Sequence, residues 1–179
     1  MPRFPVFARK VRQGNVGTHS PESIITGLVG TGASINTSLA WPSANLAIFV
    51  PVEIYEPIIV AKLSIANGTT VGGNIDIGVY DYLGNKYVTS GAVLQSGTST
   101  YQAVNVNDVT LLPNLYYMSL AKDNVTGTVT GWGASAAIDV IPLGVFQQAS
   151  AFPLPAVATF ARVTQTVIPW ISLIPRAVP

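Results

Sequence analysis

The strongest constraint on the fold of this chain is an alternation of apolar and polar residues with a period of two. It is clearest in residues 74–80 (NIDIGVY), where Ile75, Ile77 and Val79 point to one side and the residues between them point to the other. A strand with this pattern buries one face in a core. Asp76 and Tyr80, on the other face, are then expected at the surface.

Turn chemistry follows this strand directly. In residues 81–85 (DYLGN), Asp81 can accept hydrogen bonds from the backbone just after it, and Gly84 tolerates a positive φ. Residues 86–90 then resume as a strand, so the pattern predicts an antiparallel hairpin.

The same signals continue through residues 24–141, which are rich in Val, Ile, Thr and Tyr and contain no helical period. Residues 46–52 and 57–65 are apolar on both faces, as expected of strands that are covered on two sides. Residues 101–106 and 115–121 add further short strands between turns. We therefore expect an all-β body built as an antiparallel, jelly-roll-like β-sandwich.

Two proline-rich segments flank this body. Residues 1–23 form an extended basic arm, because Pro2, Pro5 and Pro21 prevent a helix. Residues 142–179 form an extended C-terminal segment that its prolines break up, with one strand predicted at residues 158–167.

The C-terminal segment is apolar as well as proline-rich. Phe146, Phe152, Phe160 and Trp170 lie in it, and no acidic residue follows Leu143. In an isolated monomer this ribbon would be exposed, so we assign Phe146, Phe152 and Trp170 to a contact with a neighbour, most naturally in a homo-oligomer such as a trimer.

Charge is scarce in this sequence. Only 9% of the residues are charged and the net charge is +1, which provides no global field for nucleic acid or for an anionic membrane. The most apolar stretch, residues 46–65, contains Glu53, Glu56 and Lys62, so we expect no transmembrane segment. A surface with so few charges favours protein partners instead.

Catalytic side chains are also scarce. The chain has no cysteine and only one histidine, His19, which lies on the arm. The Glu53/Glu56 and Asp76/Asp81 pairs have odd spacings, which place their members on opposite faces of a strand, so we interpret them as turn and surface residues. We expect no catalytic site, no metal and no cofactor.

The arm carries the only local cluster of positive charge. It combines basic and aromatic side chains, namely Arg3, Phe4, Phe7, Arg9, Lys10 and Arg12. Such a cluster can bind nucleic acid, or it can hold an extended arm in a groove of an acidic protein neighbour. The groove is favoured, because four charges make a weak nucleic-acid footprint and the prolines reduce the entropy that the arm loses on docking.

A second candidate surface centres on Trp132, which lies between two glycines. Together with Tyr80, Tyr82 and Tyr101 it could form a stacking platform for a sugar. The alternative is a tryptophan in the core or in an interface.

Several segments together carry a resemblance. They are residues 73–81 (GNIDIGVYD), 90–91 (SG), 95–99 (QSGTS), 112–121 (LPNLYYMSLA) and 143–155 (LGVFQQASAFPLP). As a set they resemble β-sandwich structural proteins of tailed-bacteriophage virions.

The resemblance implies a non-enzymatic protein of the virion, assembled in the host cytoplasm. Within that class we favour a capsid decoration or cement protein that clamps neighbouring subunits, with the major capsid protein or other virion proteins as its partners. A minor tail or fibre-associated protein is the alternative within that class, and a carbohydrate-binding or receptor-binding module is the alternative outside it.

Overall fold

The computed structural model describes residues 34–134 and 136–176. These residues form short strands and a single four-residue helix. The strands are β1 (Ser34–Ala40), β2 (Leu46–Ile54), β3 (Ile58–Ala66), β4 (Asn74–Asp81), β5 (Lys86–Thr89), β6 (Val93–Leu94), β7 (Tyr101–Leu111), β8 (Asn114–Lys122), β9 (Thr128–Gly133), β10 (Phe146–Gln148), β11 (Ala161–Arg162), β12 (Val167–Pro169) and β13 (Ile171–Pro175). The helix α1 (Ala137–Val140) runs into a 3-10 turn at Ile141–Leu143, in a stretch where the sequence showed no helical pattern.

The strands pair into three antiparallel sheets. The large sheet has the order β11-β10-β2-β8-β4-β5, with β6 also paired to β4. The two smaller sheets have the orders β1-β9-β12 and β13-β3-β7. Only Trp170 separates β12 from β13, so this run of chain continues from one small sheet into the other. The predicted all-β antiparallel sandwich is confirmed, while the jelly-roll connectivity stays a prediction.

The main hydrophobic core lies between the large sheet and the small sheets. Ile75, Ile77 and Val79 of β4 are fully buried in it, which confirms the face that the alternation assigned to them. Leu120 of β8 and Leu63 of β3 are buried in the same cluster. Burial of this kind contributes about 25 cal/mol for each Å² of apolar surface removed from water.

The outer face of the large sheet is covered too, and the sequence did not predict this. A second core forms where Phe49, Tyr80 and Tyr117 of the sheet meet Ala151 and Leu154 from the C-terminal segment. Asp76 lies on the same face and is buried. The expectation that this face of β4 reaches the surface is therefore wrong.

The C-terminal segment folds back over its own sandwich. β10 pairs with β2, β12 with β9 and β13 with β3, so the segment adds strands to all three sheets. Its prolines are accommodated because these strands are short and two of them end at Pro169 and Pro175. The strand predicted at residues 158–167 is reduced to the two residues of β11.

Within the part of the chain that the structure describes, no helix is long and apolar enough to cross a membrane. The predicted arm, residues 1–23, lies outside the described residues.

Candidate functional site

Three loops meet at one end of the sandwich. They are residues 55–57 between β2 and β3, residues 82–85 between β4 and β5, and residues 112–113 between β7 and β8. The strand register brings them together, because Ile54 pairs with Asn114, Asp81 with Tyr116, and Ile58 with Leu111.

Most of the exposed large apolar side chains of the described residues gather at this end. They are Tyr55, Ile59, Tyr82, Leu83, Tyr87, Leu112, Leu115 and Val157, where Val157 is placed by its bridge to Asn85. We call this set the apolar end. Elsewhere the exposed large apolar side chains are Leu94, Tyr101, Val125 and Ile138, on separate elements. Apolar side chains that gather in one place, unlike scattered ones, are typical of an interaction surface.

The turn that presents Tyr82 and Leu83 is held by hydrogen bonds. Asp81 Oδ1 accepts hydrogen bonds from the backbone N–H of Leu83 at 2.9 Å and of Asn85 at 2.8 Å, and Asp81 Oδ2 accepts one from Asn85 Nδ2 at 2.9 Å. Gly84 has a φ of 91°, which confirms the turn chemistry predicted for residues 81–85. The exposed side chains are therefore displayed on a preorganised loop.

This hydrogen bonding also keeps Asp81 ionised. Partial burial raises the pKa of the Asp81 carboxyl, but the hydrogen bonds from Asn85, Leu83 and Gly84 outweigh it, so the pKa is lowered overall. Glu53 and Glu56 are exposed at the same end, and Tyr55 Oη donates a hydrogen bond to Glu53 Oε2 at 2.5 Å.

The basic groups near the apolar end are engaged elsewhere. Lys86 Nζ donates a hydrogen bond to the Leu154 carbonyl at 2.9 Å, and Arg176 forms an ion pair with Asp108. The charge of Arg176 is balanced by Asp108, and the carboxylates of Glu53, Glu56 and Asp81 outnumber the single charge of Lys86, so the apolar end has a negative balance.

An open cavity of about 350 Å³ lies beside the apolar end, between β5 and β7. Residues 86–89 and 107–109 line it. β5 and β7 are the outermost strands of their sheets in the described part of the chain.

A second arrangement, which we call the aromatic cluster, lies at the opposite end and consists of Tyr101, Trp132 and Trp170. The Trp132 and Trp170 ring centroids are 5.5 Å apart, and those of Tyr101 and Trp170 are 6.4 Å apart. A cavity of about 310 Å³ lies beside the cluster. It is lined by Thr37, Ala66, Asn67, Ser99, Thr100, Tyr101, Thr130 and Trp170. The buried Trp170 Nε1 has no hydrogen-bond partner in the structure.

The predicted sugar platform is therefore divided. Trp132 and Tyr101 come together, and Trp170 joins them. Tyr82 belongs to the apolar end. Tyr80 is buried in the second core, where its hydroxyl donates to the Pro155 carbonyl at 2.6 Å, so it cannot contact a sugar.

The three C-terminal residues assigned to a partner contact the same chain instead. Phe146 and Phe152 pack against the second core, and Trp170 packs against the main core. The exposed ribbon that motivated their assignment does not exist in this fold, because the segment packs on the outer face of the large sheet of its own chain. The basic and aromatic residues of the arm, Arg3, Phe4, Phe7, Arg9, Lys10 and Arg12, lie outside the described residues, as does His19.

The sequence reading missed a buried lysine at the end of the sandwich remote from the apolar end. Lys122 is 0% exposed, and its Nζ donates to Gln95 Oε1. Gln95 Nε2 in turn donates to Asn67 Oδ1 at 3.0 Å and to the Thr128 carbonyl at 2.9 Å. Burial lowers the pKa of Lys122 to about 8, against an opposing influence of Asp123.

A signal for this lysine was present. In β8 the period of two places Lys122 on the same face as Met118 and Leu120, which point into the main core. A lysine in phase with core residues at a strand end is positioned to close the gap between two sheets.

The described residues contain no group of three or more His, Cys, Asp or Glu side chains that could hold a metal ion. Both cavities are open and are lined mainly by hydroxyl, amide and apolar groups.

No protein-family model matches this chain, and no curated protein matches it in sequence.

Proposed function

We propose that this protein is a non-enzymatic structural component of a tailed-phage particle and that it binds a protein neighbour through the apolar end. Within that class a capsid decoration or cement protein is favoured, with the major capsid protein or another virion protein as the neighbour. The observation that carries the proposal is the gathering of large exposed apolar side chains on loops at one end of the sandwich.

This observation favours a protein partner for two physical reasons. Aromatic and leucine side chains on a fixed turn lose little conformational entropy on docking. Protein interfaces also concentrate their binding energy in a few such anchors, around which polar groups exclude water. Tyr82 and Leu83 on the Asp81 turn have this character, with carboxylates at the rim.

The assignment to a phage particle depends on the resemblance of residues 73–81, 90–91, 95–99, 112–121 and 143–155 to virion β-sandwich proteins. A minor tail or fibre-associated protein shares that resemblance and would use the same surface.

The test is co-sedimentation of the purified protein with phage particles assembled without it. Leu83→Ser should reduce attachment about tenfold or more, because an exposed apolar anchor is lost while the fold is kept. Leu94→Ser is the matched control, because Leu94 is 66% exposed and Leu83 is 64% exposed. Leu94 is in β6 and pairs with Asn74, at the end of β4 that is remote from the apolar end. Equal attachment of the two variants would contradict the proposal.

A second candidate function, carbohydrate binding, is favoured by the aromatic cluster and the hydroxyl-lined cavity beside it. Rings that border a polar cavity can stack on a sugar while hydroxyl and amide groups accept and donate hydrogen bonds. On a glycan array, Tyr101→Ala should abolish binding and Tyr87→Ala should not, although their exposures, 48% and 46%, are nearly equal. An array on which the wild-type protein binds no glycan removes this candidate.

A further inference from the structure

We propose that the apolar end is the docking site for residues 1–12 of a second copy of this chain, so that copies join head to tail. This inference rests on the proposed function and names the neighbour that occupies the surface.

Charge is the first reason. The apolar end presents Glu53, Glu56 and the ionised Asp81 against the single positive charge of Lys86, because the charge of Arg176 is balanced by Asp108. Residues 1–12 carry four basic side chains and no acidic one. No other stretch of this weakly charged sequence offers such a complement, and opposite charges across an interface steer encounter and set specificity.

Apolar complementarity is the second reason. Phe4 and Phe7 are three residues apart, and Pro2 and Pro5 favour a polyproline II conformation. That conformation has three residues per turn, so in it side chains three residues apart lie on one side. The apolar end offers Tyr82, Leu83 and Tyr87 to receive them, and aromatic surfaces of this kind bind proline-rich segments.

The reach of the arm is the third reason, because it permits docking on a second copy. β12 and β13 form one run of chain. β13 pairs with β3, and β12 continues past the end of β3 and pairs with β9, where Val167 lies opposite Gly133. Ser34, the first described residue, pairs with Gly133 and so lies beyond the far end of β3. The apolar end lies at Ile58, the opposite end of this nine-residue strand, about 30 Å away.

The 21 residues between Arg12 and Ser34 can span about 70 Å when extended, which is enough to reach the apolar end of the same copy as well as that of a neighbour placed end to end; a mixture of variants separates the two. In the contact between copies, the arm of one copy docks on the apolar end of the next. Such a contact is heterologous, since the two partners use different surfaces. It closes into a ring when the rotation between copies permits, and the expected trimer is one such ring.

Sedimentation velocity of the full-length chain at low and high salt tests the proposal. The wild type should self-associate, less strongly at high salt, because exposed ion pairs are screened. An arm variant, Arg9→Ser/Lys10→Ser/Arg12→Ser, and an end variant, Glu53→Gln/Glu56→Gln, should each associate about tenfold or more weakly. Lys62→Ser and Asp139→Asn, which remove charges elsewhere, should associate as the wild type does.

A mixture of the arm variant and the end variant separates the second copy from the same copy. Each mixed pair holds one intact arm and one intact apolar end, so a 1:1 complex should form and grow no further. Failure of the mixture to form this complex would overturn docking between copies, as would a monomeric wild type or full association by either variant alone.

The inference and the proposed function can fail separately. A monomeric wild type that still binds particles through Leu83 would refute docking of the arm on a second copy and leave the structural role standing. A wild type that self-associates as described, but binds no particle, would refute the role in the virion and leave the docking of the arm standing.

Discussion

Replacement of Asp76 by alanine is the substitution for which the sequence and the structure disagree most. The alternation in β4 places Asp76 on the outer face, where a surface aspartate can be lost at little cost. In the structure Asp76 is 1% exposed. Its Oδ2 accepts a hydrogen bond from the backbone N–H of Leu154 at 3.0 Å, and its Oδ1 accepts from the hydroxyls of Thr89 and, at 3.3 Å, Ser90.

The magnitude follows from these three contacts. A hydrogen bond to a charged group contributes about 1.5 to 3 kcal/mol, and a buried donor that loses its acceptor costs about 1 to 3 kcal/mol. Asp76→Ala removes the acceptor of all three contacts; the Thr89 and Ser90 hydroxyls can rotate, but the Leu154 N–H is left buried without a partner. We expect a loss of about 3 to 5 kcal/mol, which is a large part of the stability of an ordinary domain.

Urea unfolding followed by circular dichroism measures this loss, and hydrogen exchange at the Leu154 amide locates it. Asp76→Asn keeps one acceptor oxygen, so it should lose about half as much. Asp139→Ala is the control, because Asp139 is partly exposed and its carboxylate accepts only the Ala136 N–H among the hydrogen bonds of the structure. Asp76→Ala within about 0.5 kcal/mol of the wild type would refute the reasoning, since that is the range of ordinary surface substitutions.

Three further predictions concern other positions. Lys122 has a folded pKa of about 8, below its unfolded value of 10.5, so stability should rise by about 2 kcal/mol from pH 8 to pH 10. Above pH 10 the stability should fall again, because the pKa of Tyr80 is raised above its usual value in the folded state. Urea unfolding at a series of pH values measures both changes, and Lys122→Met should abolish the rise. Ile77→Asp puts a carboxylate into the main core and should prevent folding, so a cooperative melt of this variant would invert the face assignment. Gly84→Ala should cost about 1 to 3 kcal/mol in urea unfolding, because φ is 91° and the new Cβ would lie 2.7 Å from the Ala158 carbonyl oxygen; an unchanged midpoint would contradict this.

The sequence predicts local structure well where one element determines it. The alternation in β4 predicts the buried face of Ile75, Ile77 and Val79. The turn is predicted because the Asp81 side chain can accept backbone hydrogen bonds and the Gly84 backbone can adopt a positive φ. These features depend on residues that are close in sequence.

The sequence does not predict which surface covers which. Leu154 lies 78 residues after Asp76, and no period connects them. The aromatic residues of the C-terminal segment indicated that something must cover them, but the same pattern is satisfied by a neighbour or by the chain itself. Phe146 is assigned to a neighbour for this reason and Tyr80 to a sugar platform, whereas the structure places Tyr80 in the second core and Phe146 against it.

The same limit explains the candidate site. The apolar end is assembled from three loops, the strand ends beside them and the bridge at Val157. Each loop with its adjoining strand ends contributes only two or three exposed apolar residues, too few for a sequence pattern. Strand register alone brings them together.

The two ends of the sandwich close differently, and this difference carries information about function. At the remote end, the gap between the sheets is closed by Lys122, Gln95 and Asn67, all buried and joined by hydrogen bonds. A buried network of this kind is costly unless its members find partners, and here each of the three finds them within the chain. The apolar end closes with side chains that water solvates poorly, held on a fixed turn. The two ends therefore present different chemistry, a polar closure at one and apolar anchors with carboxylates at the other. Two unlike surfaces on one chain permit a contact between copies in which each copy uses a different end.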